Sequence, residues 1–180
     1  MVRGPETDSP GWLEPTDGQP RRFQPPLNAK HASFISDLAR AGITAKIKIL
    51  DEGTHTAVAA AEFLGCEVAS IANSLLFNCE GEPLLIMSSG AGRVDTKLVG
   101  AALGGLKLKR ASPDFVKRAT GQLIDGVAPA GHPASIRTLV DVSLREHDPL
   151  WVAAGTPGSL VALSYRDLLA LTGGTEPAVR

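Results

Sequence analysis

The residue types best suited to chemistry on a ligand lie close together in residues 125–133, which read DGVAPAGHP. The two prolines and two glycines of this segment exclude regular secondary structure. Such a loop can present backbone N–H groups to a bound carbonyl or ribose, because glycine lets a ligand approach the main chain closely. His132 is a candidate hydrogen-bond donor or proton carrier, since an imidazole titrates near neutrality. The alternative is that His132 is an incidental loop residue.

A second group with chemical potential is a run of basic residues between positions 93 and 118. Only Asp95 and Asp114 oppose it in this stretch. Such an excess of cations can hold the phosphates of a nucleic acid, although it is equally typical of a solvated face of helices and an edge strand. The run consists of Arg93, Lys97, Lys107, Lys109, Arg110, Lys117 and Arg118.

Several common binding and catalytic motifs are absent from the sequence. It contains no GxxxxGK followed by Ser or Thr, no HExxH and no GxSxG. Gly90-Ala91-Gly92 begins like a phosphate-binding loop, but the third glycine of a dinucleotide fingerprint would fall at Asp95, which favours a plain turn. The four histidines and two cysteines lack metal-ligand spacing, so we expect no metal site.

The composition excludes several classes of protein. The chain has 180 residues, of which 43% are hydrophobic and 21% charged, as in a globular domain with a continuous core. A wholly disordered, collagen-like or coiled-coil chain is excluded, and no apolar run is long enough to span a membrane. The formal net charge of −1 excludes a strongly basic nucleic-acid binder, but it leaves a local basic patch open.

The two cysteines and the N-terminal residues bear on location. Cys66 and Cys79 are too few for a disulfide framework, and we expect free thiols in a reducing cytoplasm, with Cys79 buried in a strand. Residues 1–27 contain six of the 13 prolines and show no signal-peptide pattern. We interpret residues 1–27 as a flexible leader that ends just before Asn28, a candidate helix cap.

The hydrophobic pattern places these residues in a mixed α/β domain at residues 28–174, followed by a tail at 175–180. Helical spacing and capping residues predict helices at 28–42, 56–65, 96–105, 112–121 and 165–171. Alternating or continuous apolar runs predict strands at 45–50, 73–79, 83–89, 106–110, 138–144, 151–155 and 159–164. Because helices and strands do not alternate regularly, we expect one mixed sheet packed by helices.

From about residue 44 to 173 the chain resembles the YbaK/prolyl-tRNA synthetase-associated domain family, whose members hydrolyse misacylated tRNA in trans. The resemblance rests on segments that occur in the family's order: THTAVAAAEFLG, VASIANSLLF, LIMSSGAGRVDTKLVGAALG, ASPDFVKRATGQLIDGVAPAGH, TLVDVSL and WVAAGTP. It implies a barrel-like mixed β-sheet flanked by helices, with a cleft for the 3′-terminal aminoacyl-adenosine. It implies no metal or organic cofactor.

The resemblance also implies site residues, with two departures from the family pattern. The family's active-site lysine is replaced by Asn73, and the first glycine of its glycine-x-x-x-proline loop is replaced by Asp125. As catalytic residues we carry over Asn73, Gly126 and His132. As substrate-binding residues we carry over Thr56, Ser89, Asp125, Pro129, Gly131, Asp141 and Gly155. As tRNA-binding residues we take Arg93, Lys97, Lys107, Lys109 and Arg110.

The two departures affect the chemistry. Backbone N–H groups can stabilise an oxyanion by roughly 3–4 kcal/mol for each good donor, whereas Asn73 supplies an amide without the charge of a lysine. Asp125 adds a negative charge that could exclude phosphate or attract the substrate's α-ammonium. Without the resemblance, Asn73 would be interpreted as a residue that begins a strand.

Three hypotheses follow. The first is a free-standing deacylase for a small amino acid mischarged on tRNA of the proline set, with tRNA and prolyl-tRNA synthetase as partners. The second is a non-catalytic aminoacyl-tRNA or RNA-binding module of the same fold, because Asn73 replaces the lysine. The third is a small-molecule ester or amide hydrolase unconnected with RNA. The sequence leaves open whether the chain is a monomer or a homodimer, and we expect no contact with a membrane.

Overall fold

The computed structural model of the chain describes residues 29–50 and 56–180. The predicted leader, the candidate cap Asn28 and His55 lie outside the described residues. The helices are α1 (Ala29–Arg40), α2 (Ala57–Leu64), α3 (Thr96–Ala102), α4 (Pro113–Thr120) and α5 (Tyr165–Thr172). The strands are β1 (Ile47–Ile49), β2 (Ile71–Cys79), β3 (Glu82–Ser89), β4 (Leu108–Arg110), β5 (Arg137–Val140), β6 (Leu150–Ala153) and β7 (Ser159–Leu163).

Local capping explains where several elements begin and end. The Thr56 hydroxyl accepts a hydrogen bond from the Ala59 N–H at 3.1 Å, and Gly65, with φ of 66°, ends α2. The Ser112 hydroxyl likewise caps α4. The predicted hairpin between β2 and β3 is confirmed, with Gly81 at φ of 102° in its turn. The sequence therefore located these elements correctly.

The seven strands form one mixed sheet in the order β1-β7-β6-β2-β3-β5, with β4 paired to β2 beside this path. The expected mixed sheet flanked by helices is confirmed, but the sheet is not closed into a barrel. Strands β1 and β5 end the path and do not pair with each other. A bridge between Leu139 and Thr175 partly covers the outer edge of β5. This edge is therefore partly protected from pairing with another strand, although the sheet is not closed.

One edge of β2 is interrupted in the middle. Strand β3 pairs without interruption with the other edge of β2, from Ala72 to Cys79. On the interrupted edge, parallel β6 pairs only as far as Ala72 and antiparallel β4 begins at Phe77. Among the described strands, none therefore pairs with residues 73–76 on that edge. We call this opening the β2 gap.

The two faces of β2 contact different helices and cores. Ala72 and Leu76 face a core that includes Phe34 of α1, Val116 of α4 and Leu168 of α5. On the opposite face, Phe77 packs with Val99 of α3 and other residues. Because side chains alternate along a strand, Asn73 belongs to the face of Phe77. Side chains from both faces of β2 therefore lie beside the β2 gap.

Two further predictions meet different outcomes. Cys79 is buried in β2 as expected, and burial raises the pKa of its thiol. The prediction of one strand at 138–144 is wrong in its second half, because β5 ends at Val140 and Val142–Glu146 forms a 3₁₀ helix. The cause is Asp141, whose carboxylate accepts a hydrogen bond from the Ser143 N–H at 3.0 Å and so caps the turn.

Candidate active site

A cavity of about 790 Å³ opens at the β2 gap. Its volume lies in the usual range for small-molecule sites. Its walls come from the start of α2, residues 71–77 of β2, the loop before α3, the end of β4, the loop after α4 and the turn between β6 and β7. The cavity brings together five of the predicted site residues: Thr56, Asn73, Arg93, Arg110 and Asp125.

Main-chain groups of the β2 gap form part of this wall. The Leu76 carbonyl accepts a hydrogen bond from the Ala111 N–H at 3.3 Å, which shows that the peptide groups of Leu76 face the interrupted edge. By strand alternation, the N–H and C=O of Ser74 face the same edge. No described strand pairs with Ser74 there. The gap therefore offers a ligand main-chain donors and acceptors that a complete sheet would have used.

The loop between α4 and β5 is held by its own side chains. Buried Gln122 donates a hydrogen bond to the Ala130 carbonyl at 3.2 Å and accepts one from the Ala128 N–H at 2.7 Å. The Gly131 N–H donates to the Asp37 carboxylate of α1 at 2.7 Å. The Gln122 bonds hold the loop in one compact turn, and the Gly131 bond ties its end to α1, so the chain's own contacts set the position of this part of the cavity wall.

His132 braces the same loop and lies outside the cavity lining. Its Nε2 lies 2.9 Å from the Ala128 carbonyl oxygen, a geometry in which Nε2–H donates. Burial lowers the pKa of His132, and the hydrogen bond to Ala128 opposes that shift. The ring is thus kept neutral at physiological pH and bound to the loop's main chain.

The glycine N–H groups of the loop are already occupied, whereas the N–H groups of Asp125 and Val127 have no acceptor among the described residues. The Gly126 N–H donates to the Leu123 carbonyl at 3.2 Å, and that of Gly131 donates to Asp37. The main chain of Val127 has no hydrogen-bond acceptor for its N–H among the described residues, and Val127 lines the cavity while only 4% exposed. An N–H without a partner is open to a ligand, so the N–H of Val127 is a candidate donor for a bound oxyanion.

Asp125 has a left-handed backbone conformation, with φ of 70°. This conformation suits glycine, which explains why the family pattern has glycine at this position. Aspartate tolerates the left-handed region better than most residues. The loop therefore keeps the same course with a carboxylate added at the cavity wall.

Gly126 is required for a close approach between two walls of the cavity. A Cβ added at Gly126 would overlap the backbone carbon of Thr156 and the nitrogen of Pro157 in the β6–β7 turn. Next in that turn, Gly158 and Ser159 line the cavity. Gly126 thus sets the distance between the loop and the turn, although it does not line the cavity itself.

Two of the five predicted tRNA-binding residues line the cavity and three do not. Arg93 and Arg110 lie on its walls. Lys107 and Lys109 border a separate, smaller depression beside the β2–β3 turn, and Lys97 lies exposed in α3. The cationic groups thus extend from the cavity across the surface around β4.

Ser89 and Asp141 are buried and lie outside the cavity lining. They belong to a polar group that we call the Asp141 cluster, composed of Ser89, Asp141, Ser143 and Arg180. The Asp141 carboxylate is 3.3 Å from Arg180 Nη2 and 3.5 Å from the Ser89 N–H. Arg180 also donates to the Ser143 hydroxyl at 2.6 Å. Pro129 and Gly155, both buried, also lie outside the lining.

Sequence reasoning missed three features of the site. The partner of Asp141, Arg180, lies in the predicted tail, where Val179 is fully buried. The loop brace Gln122 and the main chain of Ser74 were also missed. Gln122 carries no sequence signal, and the Ser74 opening depends on where β4 and β6 stop. No group of three or more His, Cys, Asp or Glu side chains suited to a metal ion occurs in residues 29–50 and 56–180.

Comparison with known proteins adds a family to this geometry. Residues 51–171 match the family described as aminoacyl-tRNA editing domain. The uncharacterized protein YwhH of Bacillus subtilis is 33% identical over 119 residues, which are 66% of this chain and 75% of that protein. A proline–tRNA ligase of Maridesulfovibrio salexigens is 25% identical over 139 residues, and the chain spans only 23% of its length.

A solved structure agrees with these matches. It is a crystal structure named as a candidate trans-editing enzyme for prolyl tRNA synthetase. It superimposes with a TM-score of 0.78 and 33% sequence identity, and the match covers 86% of this chain and 98% of that one. The described residues include no helix long and apolar enough to cross a membrane.

Proposed function

The chain belongs to the aminoacyl-tRNA editing domain family, and we propose that it is a free-standing deacylase that hydrolyses a small amino acid mischarged on tRNA. One observation carries this proposal: Asn73, Asp125 and Val127 line one cavity of about 790 Å³ at the β2 gap. The high coverage of the solved trans-editing candidate supports action in trans.

The reaction joins a water oxygen to the ester carbonyl carbon and then breaks the bond from that carbon to the ribose oxygen. The ribose oxygen takes up a proton, and free amino acid and tRNA are released. The carbonyl oxygen carries negative charge while the carbon is tetrahedral. Stabilising that charge is the principal demand on the site.

The chain's own groups can meet this demand without a lysine. The Val127 N–H is the proposed oxyanion donor, since it has no other partner in the described chain. The Asn73 side-chain amide can orient the ester or the attacking water through its N–H₂ and C=O. The ribose hydroxyl adjacent to the ester is the proposed proton carrier, and Gly126 and His132 act through the loop position.

The size of the proposed amino acid follows from the wall at the start of α2. Ala57 and Ala60 of this helix line the cavity together with Ile71 and Leu160. Small methyl side chains leave room for a short acyl group, while the apolar surroundings favour burial of its side chain. The relatives named as proline–tRNA ligases support tRNA of the proline set.

The proposed partners are aminoacylated tRNA and prolyl-tRNA synthetase, which would place the protein in the cytoplasm. Arg93 and Arg110 are the proposed contacts to phosphates next to the terminal adenosine, because both line the cavity. Lys97, Lys107 and Lys109 would contact phosphates further along the acceptor stem. Thr56 would lie next to the acyl group.

Asn73 itself favours a second candidate function, a binding module that no longer hydrolyses the ester. Asn73 lines the cavity where the family has a lysine, and it supplies no charge. The cavity could then hold an aminoacyl-adenosine without catalysing its hydrolysis. Activity that is gained only in Asn73→Lys would identify this second function.

The proposal is tested with purified protein and a panel of mischarged tRNAs, including tRNA of the proline set charged with alanine. We expect release of free amino acid well above the spontaneous rate, and slower release of proline. Arg93→Gln and Arg110→Gln should each weaken tRNA binding. Each should also reduce, by about one, the slope of the logarithm of the binding constant against the logarithm of the salt concentration. Retained binding without any release across the panel would reject the deacylase in favour of the binding module.

A further inference from the structure

We propose that Asp125 binds the α-ammonium group of the aminoacyl ester and thereby selects esters of amino acids over esters of α-hydroxy acids. This inference rests on the proposed function and adds a recognition element to it. It assigns to Asp125 a role in specificity, separate from the stabilisation of the oxyanion.

The first observation is that the Asp125 carboxylate has no partner in the part of the chain that the structure describes. Asp37 accepts from the Gly131 N–H and pairs with Arg40, Asp95 caps α3, and Asp141 pairs with Arg180. The carboxylates of Asp114, Asp148 and Asp167 have no partner among the described residues either, but they lie outside the cavity lining. Asp125 is exposed, enters no hydrogen bond or ion pair of this kind, and lines the cavity. Its carboxylate is therefore available to a ligand.

The second observation is the backbone of Asp125. Its φ of 70° lies in the left-handed region, which few residues other than glycine adopt but which aspartate tolerates better than most. Here the flanking bonds from Gly126 N–H to Leu123 and from Ala128 N–H to Gln122 impose it. Such residues concentrate at functional sites, which is consistent with a carboxylate held in a set position.

The third observation is the arrangement of charge. Among the described lining residues, Arg93 and Arg110 are the cations and Asp125 is the carboxylate, and they lie on different walls. The 3′ end of an aminoacylated RNA has the complementary pattern, with phosphate on one side of the ester and an ammonium on the other. The arginines suit any RNA end, whereas the carboxylate specifically requires a cation.

The experiment compares two substrates that differ only in the α substituent. One is tRNA charged with alanine, and the other is the same tRNA after nitrous acid has converted the alanyl group to the α-hydroxyacyl group. The ratio of the two hydrolysis rates is measured for the wild type, Asp125→Asn and Asp114→Asn. Asparagine tolerates the left-handed conformation, so the loop should keep its course. Asp114 is exposed on α4 outside the cavity lining and serves as the matched control.

We expect the preference for the alanyl ester to fall about 10- to 100-fold in Asp125→Asn, with the hydroxyacyl rate unchanged, because a charge-assisted hydrogen bond is lost. The control should keep the wild-type ratio. An unchanged ratio in Asp125→Asn, or an equal loss on both substrates, would overturn the inference while hydrolysis by the wild type upholds the proposed function.

A binding measurement keeps the inference testable if the wild type hydrolyses neither ester. The probes are adenosines that carry alanine or lactic acid in amide linkage at the 3′ position, which resist hydrolysis. We expect the wild type to bind the alanyl probe more tightly and Asp125→Asn to lose that preference. Equal affinity of the wild type for both probes would reject the role of Asp125, independently of any failure of catalysis.

Discussion

The cavity and the Asp141 cluster use polar groups in opposite ways. In the cluster, the buried Asp141 carboxylate accepts from two backbone N–H groups and pairs with Arg180. In the cavity, the Val127 N–H and the Asp125 carboxylate have no partner among the described residues. Both regions contain residues that the family resemblance assigned to substrate binding.

The difference suggests a criterion for separating a binding group from a structural one. Polar groups that are satisfied within the chain contribute to folding and gain little from a ligand. A buried polar group without a partner costs free energy until a ligand supplies one, and an exposed carboxylate such as Asp125 stays available to a ligand. By this criterion we propose that Ser89 and Asp141 stabilise the fold, whereas Val127 and Asp125 act on the substrate.

The largest expected effect is that of Gly126→Ala, which disrupts the cavity and leaves the Asp141 cluster intact. The added Cβ would overlap the backbone of Thr156 and Pro157, so the loop and the turn must separate. We expect the free energy of unfolding to fall by about 3 kcal/mol, since overpacking against backbone relaxes poorly. Urea unfolding measures this loss, and deacylation should fall with it.

Gly104→Ala is the control for backbone strain. Gly104 has φ of 83°, but nothing lies within 4 Å of an added Cβ. This variant should lose only about 1 kcal/mol and retain full activity. Equal losses in the two variants would mean that Gly126 does not set the distance between the loop and the turn.

The next effect is a crossed pair of variants, one from each region. Asp141→Ala should lower the free energy of unfolding by about 2–3 kcal/mol, because two backbone N–H groups and Arg180 lose their acceptor. Its activity should be retained well below its unfolding temperature. Asn73→Ala should show the reverse, an approximately 100-fold loss of kcat/KM with little change in stability.

The crossed pair is measured by urea unfolding and by deacylation at one low temperature. Arg180→Ala is the companion of Asp141→Ala and should cost less, since the Arg180 side chain is 33% exposed. If Asp141→Ala abolished activity while remaining folded, the Asp141 cluster would belong to the site, and the contrast between the regions would fail.

The sequence predicted local features well because their causes are local. The Thr56 and Ser112 caps and the turn at Gly81 depend on side chains within three residues. The wrong prediction of a strand through Asp141 has a local cause as well. The Asp141 carboxylate caps the turn at Ser143, but the apolar residues around Asp141 favoured a strand. A local pattern with two competing interpretations is where the prediction failed.

The candidate site was predictable only in part because its important features depend on distant contacts. The resemblance identified position 73 and the 125–132 loop, and the structure joins residues 73 and 125 in one cavity. The β2 gap depends on the lengths of β4 and β6, which no residue of β2 specifies. Likewise, the occupation of the Gly131 N–H depends on Asp37, 94 positions earlier in the chain.

The smallest expected effect separates the two roles considered for His132, that of a loop brace and that of a proton carrier. Burial lowers the pKa of His132 in the folded protein below its ordinary value of 6.5. As the pH falls below 6.5, the unfolded chain binds the proton before the folded protein does, so the free energy of unfolding decreases.

The variant His132→Gln removes this titration and can still donate a hydrogen bond to the Ala128 carbonyl. Urea unfolding at pH 7.5 and 5.5 should therefore show a smaller loss in the variant than in the wild type, and deacylation at pH 7.5 should change by less than about threefold. A proton carrier would instead lose about 100-fold or more on replacement, which would move His132 from the structural residues to the catalytic ones.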